Sequence, residues 1–203
     1  MIFALIPAAG ESRRMGRPKL ALPLGEKTVL EHVLGALRHA QVDHMLVVIG
    51  PHVAELQPIA QNAGAQVLQL TDKTPDMRTT IEHGLRWLEE HFHPGHGDSW
   101  LLVPADHPVL SPQIVRQLIQ ARQANPSHAI VVPTFQGKRG HPALIGWQFV
   151  EQIQQLPPNE GINSLLRRHA TESVELPVNA GDVLLDLDTP EDYERIKHGW
   201  SQQ

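Results

Sequence analysis

The sequence predicts an α/β fold in which a mostly parallel central sheet is covered by helices on both faces and gives way to mixed strand directions in the C-terminal half. Apolar runs of strand length recur at 2–7, 44–50, 66–70, 100–105 and 129–133, and their hydrophobicity is continuous, as it is in strands buried on both faces. Segments with helix start signals lie between them, which implies parallel strands joined by crossovers. After residue 133 short β segments follow one another directly, and there the parallel pattern ends.

The first run, "IFALIP", is followed by the small-residue stretch Ala8, Ala9 and Gly10. Thr28 and Glu31 have capping-box spacing ahead of an apolar stripe of Val29, Val33, Leu34 and Leu37, which marks the first helix. The strands "HMLVVIG" and "QVLQL" come next, and "HFHPGHGD" reads as a loop before the strand "WLLVPA". Ser111 and Pro112 stand as N-cap and first residue of the helix "SPQIVRQLIQARQA". "TFQGKRGHPALIG" reads as strand, loop and strand, "SVELPV" and "VLLDLD" as two further short strands, and "TPEDYERIKHG" as the last helix.

The chain has 203 residues, 41% of them hydrophobic and 19% charged, which fits one domain with a full core. A formal net charge of −5 argues against broad binding to nucleic acid and for a small partner. With no cysteine there is neither a disulfide nor a thiolate site. The apolar run from Ile2 to Ala9 is too short to span a membrane, contains Pro7 and lacks a basic leader, so the expectation is a cytoplasmic protein with no membrane partner.

In open α/β sheets ligands lie outside the carboxyl ends of the strands. Four polar clusters follow strands: Gly10 to Lys19, Asp106, Arg139 to His141, and Asp186 with Asp188. The first holds Arg13, Arg14, Arg17 and Lys19 in an otherwise acidic chain. Small residues let backbone N–H groups approach an anion, Ser12 adds a hydroxyl, and Arg14 and Lys19 supply a fork and a point charge to a polyphosphate. The spacing fits neither GxGxxG nor a Walker A loop.

Asp106 ends a hydrophobic strand, where a carboxylate needs a partner. It either closes a turn before Pro112 or meets a cation. In "DLDTPED", Thr189, Pro190 and Asp192 are explained by a helix start, whereas Asp186 and Asp188 are not; on a strand they share a face. His91, His93 and His96 lie close in sequence, but no regular element fixes a further ligand beside them.

"PAAGESRRMGRPK" resembles the signature AAGxSxRMGxxK of the MobA-like nucleotidyltransferases, most of all the molybdenum cofactor cytidylyltransferase branch. The likeness continues through "KLALPLGEKTVLEHVL", "VPADHPVL", "GKRGHPALIG", "LLRRHA" and "LLDLDTPEDY", in order along most of the chain. The resemblance implies a three-layer, Rossmann-like nucleotidyltransferase fold in one domain over 1–203. About 1–110 would take the nucleotide and 111–203 the acceptor. It implies transfer of CMP from CTP to a phosphate of a precursor such as molybdopterin, with release of pyrophosphate and a molybdoenzyme as recipient of the cofactor.

By the same resemblance Arg14 and Lys19 are catalytic. Pro7, Ala8, Ala9, Gly10, Ser12 and Arg13 join them in binding the nucleotide, together with Arg78 and Thr79. Arg139 and His141 bind the acceptor, and Asp106 and Asp188 hold Mg²⁺ or Mn²⁺. "AAG" in place of "AGG" favours CTP over GTP. The chain departs from the family in "DMRTTIEHGL", where serines are usual, and in His107, where glutamine or methionine is usual; both bear on substrate identity. The rivals are a nucleotide-binding maturation factor or chaperone for a molybdoenzyme, and the methylerythritol-phosphate cytidylyltransferase, whose "DAARP" is "PADHP" here.

Overall fold

A computed structural model describes residues 1–179 and 181–200. Among the described residues there are ten strands and seven α-helices, with strands and helices alternating over much of the N-terminal half as the sequence predicts. β1 (Ile2–Ala8), β4 (His44–Ile49), β5 (Gln66–Gln69) and β6 (Ser99–Leu102) form the parallel part of the main sheet. β7 (Ile130–Phe135), β8 (Lys138–Arg139), β9 (Ala143–Gly146) and β10 (Ser173–Pro177) form the mixed part. The strand order is β10-β7-β9-β6-β1-β4-β5, with β8 paired to β7; β9 is antiparallel to both β6 and β7, so one sheet runs through both halves of the sequence.

Each strand contributes alternate side chains to two separate cores, the consequence of the two-residue period of a strand. Ala4, Ile6, Val47, Ile49, Leu101 and Val103 face one side, where α1 (Val29–His39), α2 (Leu56–Asn62), α4 (Pro112–Ala124) and α7 (Pro190–Trp200) cover them. Phe3, Leu5, Leu46, Val48, Trp100 and Leu102 face the other, under α3 (Met77–Phe92), α5 (Val150–Gln154) and α6 (Ile162–Arg168). Two apolar faces per strand explain why the runs are continuous in sequence.

The capping box at the start of α1 is present: the Thr28 side chain accepts from Glu31 N–H, and the Glu31 carboxylate accepts from Thr28 N–H at 2.7 Å. Thr189 and Asp192 repeat it at α7. Ser111 occupies the N-cap of α4 with Pro112 behind it, but its side chain makes no capping bond.

Three elements differ from the sequence reading. "VLLDLD" is not a strand: Gly181–Leu184 is a 3₁₀ turn and the residues to Asp188 are irregular. Their backbone groups are bound by other segments instead of a ladder, Leu187 N–H by Asp106 O and Val183 O by His141 N–H. "HFHPGHGD" is not wholly loop, because α3 continues to Phe92 and ends on His93 at φ 48°. There Phe92 packs on Phe3, and His91 stacks on Trp87. The hairpin β2 (Pro23–Leu24) and β3 (Lys27–Thr28), turning at Gly25 with φ +65°, is additional.

Gly84 lets α3 approach the sheet, since a Cβ there would lie 2.4 Å from Leu5 Cδ1 and 2.9 Å from Val48 Cγ2. Gly84→Ala is therefore expected to cost about 1–3 kcal/mol of stability despite alanine's better helix propensity. Urea denaturation checks this: a lower midpoint is the expected result.

Candidate active site

Because β1, β4, β5 and β6 are parallel, their carboxyl ends lie along one edge of the sheet, and the segments that follow them enclose a cavity of about 750 Å³. The loop after β1 turns tightly at Ser12 (φ 50°), whose carbonyl accepts from the N–H groups of Met15 at 3.0 Å and Gly16 at 3.1 Å. Met15 is buried in the core and anchors the turn. Ser12 Oγ accepts from Lys19 N–H at 3.4 Å, folding the end of the loop back on its start.

This fold-back delivers Lys19 between two carboxylates that are remote in sequence. Its ammonium lies 2.5 Å from Asp106 Oδ2 and 2.9 Å from Asp188 Oδ1, and Arg14 Nη2 is 2.8 Å from Asp188 Oδ2. Burial alone lowers the basicity of Lys19, but Asp106 and Asp188 outweigh it and raise the pKa above its ordinary value, so the side chain stays charged. Two cations and two anions thus alternate at the edge of the cavity.

Pro7, Ala8, Ala9, Gly10, Ser12, Arg13, Arg14 and Lys19 all line the cavity, as do Asp106 and Asp188. Arg13 is 85% exposed and pairs with Glu11 at 2.6 Å. Of the residues expected to bind the nucleotide, Arg78 and Thr79 are not on the lining. Arg78 turns away from the cavity, where Nη1 donates to the carbonyls of Leu156, Pro157 and Glu160 at 3.1, 2.6 and 3.0 Å and Nε pairs with Glu82. Thr79 donates its N–H and hydroxyl to Asp76, the N-cap of α3. Thr80, one residue on, faces the cavity and bonds Thr74 at 2.7 Å.

His141 and Arg139 lie outside this lining, on the side of the later strands. His141 is largely buried, its Nδ1 has no protein partner, and burial lowers its pKa against the opposing charges of Asp186 and Asp106, which favours neutral imidazole. Arg139 is held by Glu175 at 2.8 Å. Burial first, then the charge of Asp106, raises the pKa of Asp186. His107 is fully buried and its Nε2–H donates to Asp182 O, so it fastens the 3₁₀ turn that leads to Asp188.

The sequence reading missed the wall supplied by the ends of β4 and β5: His52, Lys73, Pro75 and Met77. His52 packs against Gly50, with neither ring nitrogen partnered. The rule that placed the other clusters at strand ends applies equally to these positions. Among the described residues no group of three metal-ligating side chains is present, so His91, His93 and His96 form no metal site there.

The model of the MobA-like NTP transferase domain matches residues 4–174. The chain belongs to this family. Among its relatives, the molybdenum cofactor cytidylyltransferase of Escherichia coli is 26% identical over 99% of this chain and 98% of its own. The purine catabolism protein PucB of Bacillus subtilis is 27% identical over 98% of each chain. The 2-C-methyl-D-erythritol 4-phosphate cytidylyltransferase of Neisseria gonorrhoeae is 35% identical but covers 64% of this chain and 58% of its own. Of solved structures, a homolog of rv0371c from Mycobacterium sp. strain JC1 superposes with TM-score 0.83 at 25% identity over 99% of this chain and 97% of its own. That of Rv0371c from Mycobacterium tuberculosis in complex with manganese gives 0.75 at 25% identity, over 97% and 98%.

In this member of the NTP transferase family the loop after β1 and two aspartates face one cavity, while Arg78 serves the scaffold. Arg78→Ala is expected to lower stability by about 2 kcal/mol, because partly buried carbonyls at 156–160 lose their donor. Chemical denaturation with nucleotide titration on the folded variant checks this: a lost midpoint with nucleotide affinity retained is the expected pattern.

Proposed function

We propose that the protein transfers CMP from CTP to a terminal phosphate of a cofactor precursor of the molybdopterin kind, releasing pyrophosphate. The observation that carries this is the Lys19 ammonium held between Asp106 and Asp188 at the edge of the cavity lined by the small-residue loop after β1. Sequence similarity to the E. coli cytidylyltransferase over the full chain favours this acceptor class over the methylerythritol-phosphate type, whose sequence matches cover about two thirds of the chain although the fold is shared throughout.

An acceptor phosphate oxygen attacks the α-phosphorus, a new P–O bond forms, and the bond to the β-phosphate breaks with pyrophosphate as leaving group. The attacking oxygen is already ionised, so no strong general base is required. Ala8 to Gly10 offer N–H groups to the phosphates, Arg14 and Lys19 stabilise charge that grows on the α-phosphate, and positioning supplies much of the rate. His141, neutral and with an open Nδ1, and Arg139 orient the acceptor from the half of the chain beyond residue 110.

The donor set fits a hard divalent cation. Asp106 and Asp188 already share one cation, the Lys19 ammonium, and these two carboxylates would hold a Mg²⁺ or Mn²⁺. Such an ion supplies charge neutralisation at the α-phosphate. The manganese complex of the mycobacterial relative supports this assignment.

Pyrophosphate release measured with each NTP and the molybdopterin precursor tests the reading. CTP is expected to give turnover and to raise the melting temperature, since saturation at 100 times Kd contributes about 2.7 kcal/mol. Lys19→Ala should lower turnover by about 100-fold or more with circular dichroism unchanged. Nucleotide binding without turnover for any NTP and acceptor would instead favour a maturation factor or chaperone for a molybdoenzyme.

A further inference from the structure

Glu11 is the sole acidic residue between Ala9 and Lys19, in the loop that lines the cavity after β1. A carboxylate there repels a polyphosphate unless its charge is cancelled. Both of its oxygens are engaged, Oε2 by Arg13 Nε at 2.6 Å and Oε1 by Lys73 Nζ at 2.5 Å. Arg13 belongs to the same loop. Lys73 belongs to the segment after β5, and because β4 lies between β1 and β5, the Glu11–Lys73 pair reaches across the end of β4. Both residues line the cavity.

The hydrogen bonds from Lys73 and then Arg13 hold the Glu11 carboxyl at about 2, so it is ionised throughout the working pH range. Its charge must therefore be balanced by neighbours, because protonation does not remove it. The Lys73 side chain is 61% exposed, and an ion pair so open to water adds little to stability. Its effect is felt by a charged ligand in the same cavity.

We propose that Lys73 is a positioning residue for the nucleotide phosphates that acts through Glu11, offsetting the one acidic side chain of the loop so that the Glu11, Arg13 and Lys73 cluster stays net positive toward the phosphates. The inference rests on the nucleotidyl-transfer reading above. Arg13 alone leaves the Glu11–Arg13 pair neutral, whereas with Lys73 the cluster of three is net positive toward the incoming phosphates.

The test measures KM and kcat with the NTP that the wild-type protein turns over, and Kd for that NTP by calorimetry without acceptor. Lys73→Met is expected to raise KM and Kd about tenfold with kcat within about twofold, and the gap should narrow as ionic strength rises. Adding Glu11→Gln to Lys73→Met should return both constants to within about twofold of wild type, and Lys73→Arg should stay close to wild type. A Lys73→Met protein with unchanged KM and Kd overturns the inference. So does a raised KM that Glu11→Gln fails to restore, because Lys73 then touches the nucleotide directly. Wild-type protein that binds no NTP overturns the nucleotidyl-transfer reading and this inference with it; wild-type binding with either of the other results overturns this inference alone.

Discussion

The Lys19 ammonium between Asp106 and Asp188 is the contact on which the geometry of the site depends. It joins segments separated by 87 and 169 residues and brings the loop after β1, the end of β6 and the approach to α7 to one point. A partly buried cation is costly unless paired, and so is a carboxylate at the end of an apolar strand. Each of the three therefore requires the others, and the cleft is shaped by that mutual requirement.

Around this contact the structure binds the segment before Asp188 without a strand. Leu187 N–H reaches Asp106 O, His107 reaches Asp182 O, and His141 N–H reaches Val183 O. Three backbone groups of an irregular stretch are thus satisfied by residues from the other side of the site. His107 has a structural role here: buried beside the site, its ring N–H holds the 3₁₀ turn that leads to Asp188.

The helix that follows Asp188 has a second task. Its capping box of Thr189 and Asp192 sets the direction of the chain immediately after the aspartate. Tyr193 then donates its hydroxyl to Pro23 O, and Arg17 lies 5.4 Å above its ring, so α7 braces the hairpin and the outer side of the phosphate loop. A helix start that is ordinary in sequence becomes the support for Asp188, the carboxylate that Arg14 and Lys19 share.

The sequence by itself determined the layers and most strand positions, because strands buried on both faces must be apolar throughout and helix starts need capping residues such as Thr28 with Glu31. It also placed the loop after β1 and Asp106 beyond the ends of strands, whereas Asp188, expected at a strand end, follows an irregular stretch. Only the tertiary structure decided which residues meet. Arg78 has the same local sequence whether it faces a nucleotide or the carbonyls at 156–160, and the choice depends on where α5 and α6 pack. "VLLDLD" has the alternation of a strand, yet its hydrogen bonds are taken by Asp106 and His141, groups that a local reading does not bring near. His52 and Lys73 enter the site because β4 and β5 lie beside β1 in the sheet, and strand order is set by long-range packing that no short motif records.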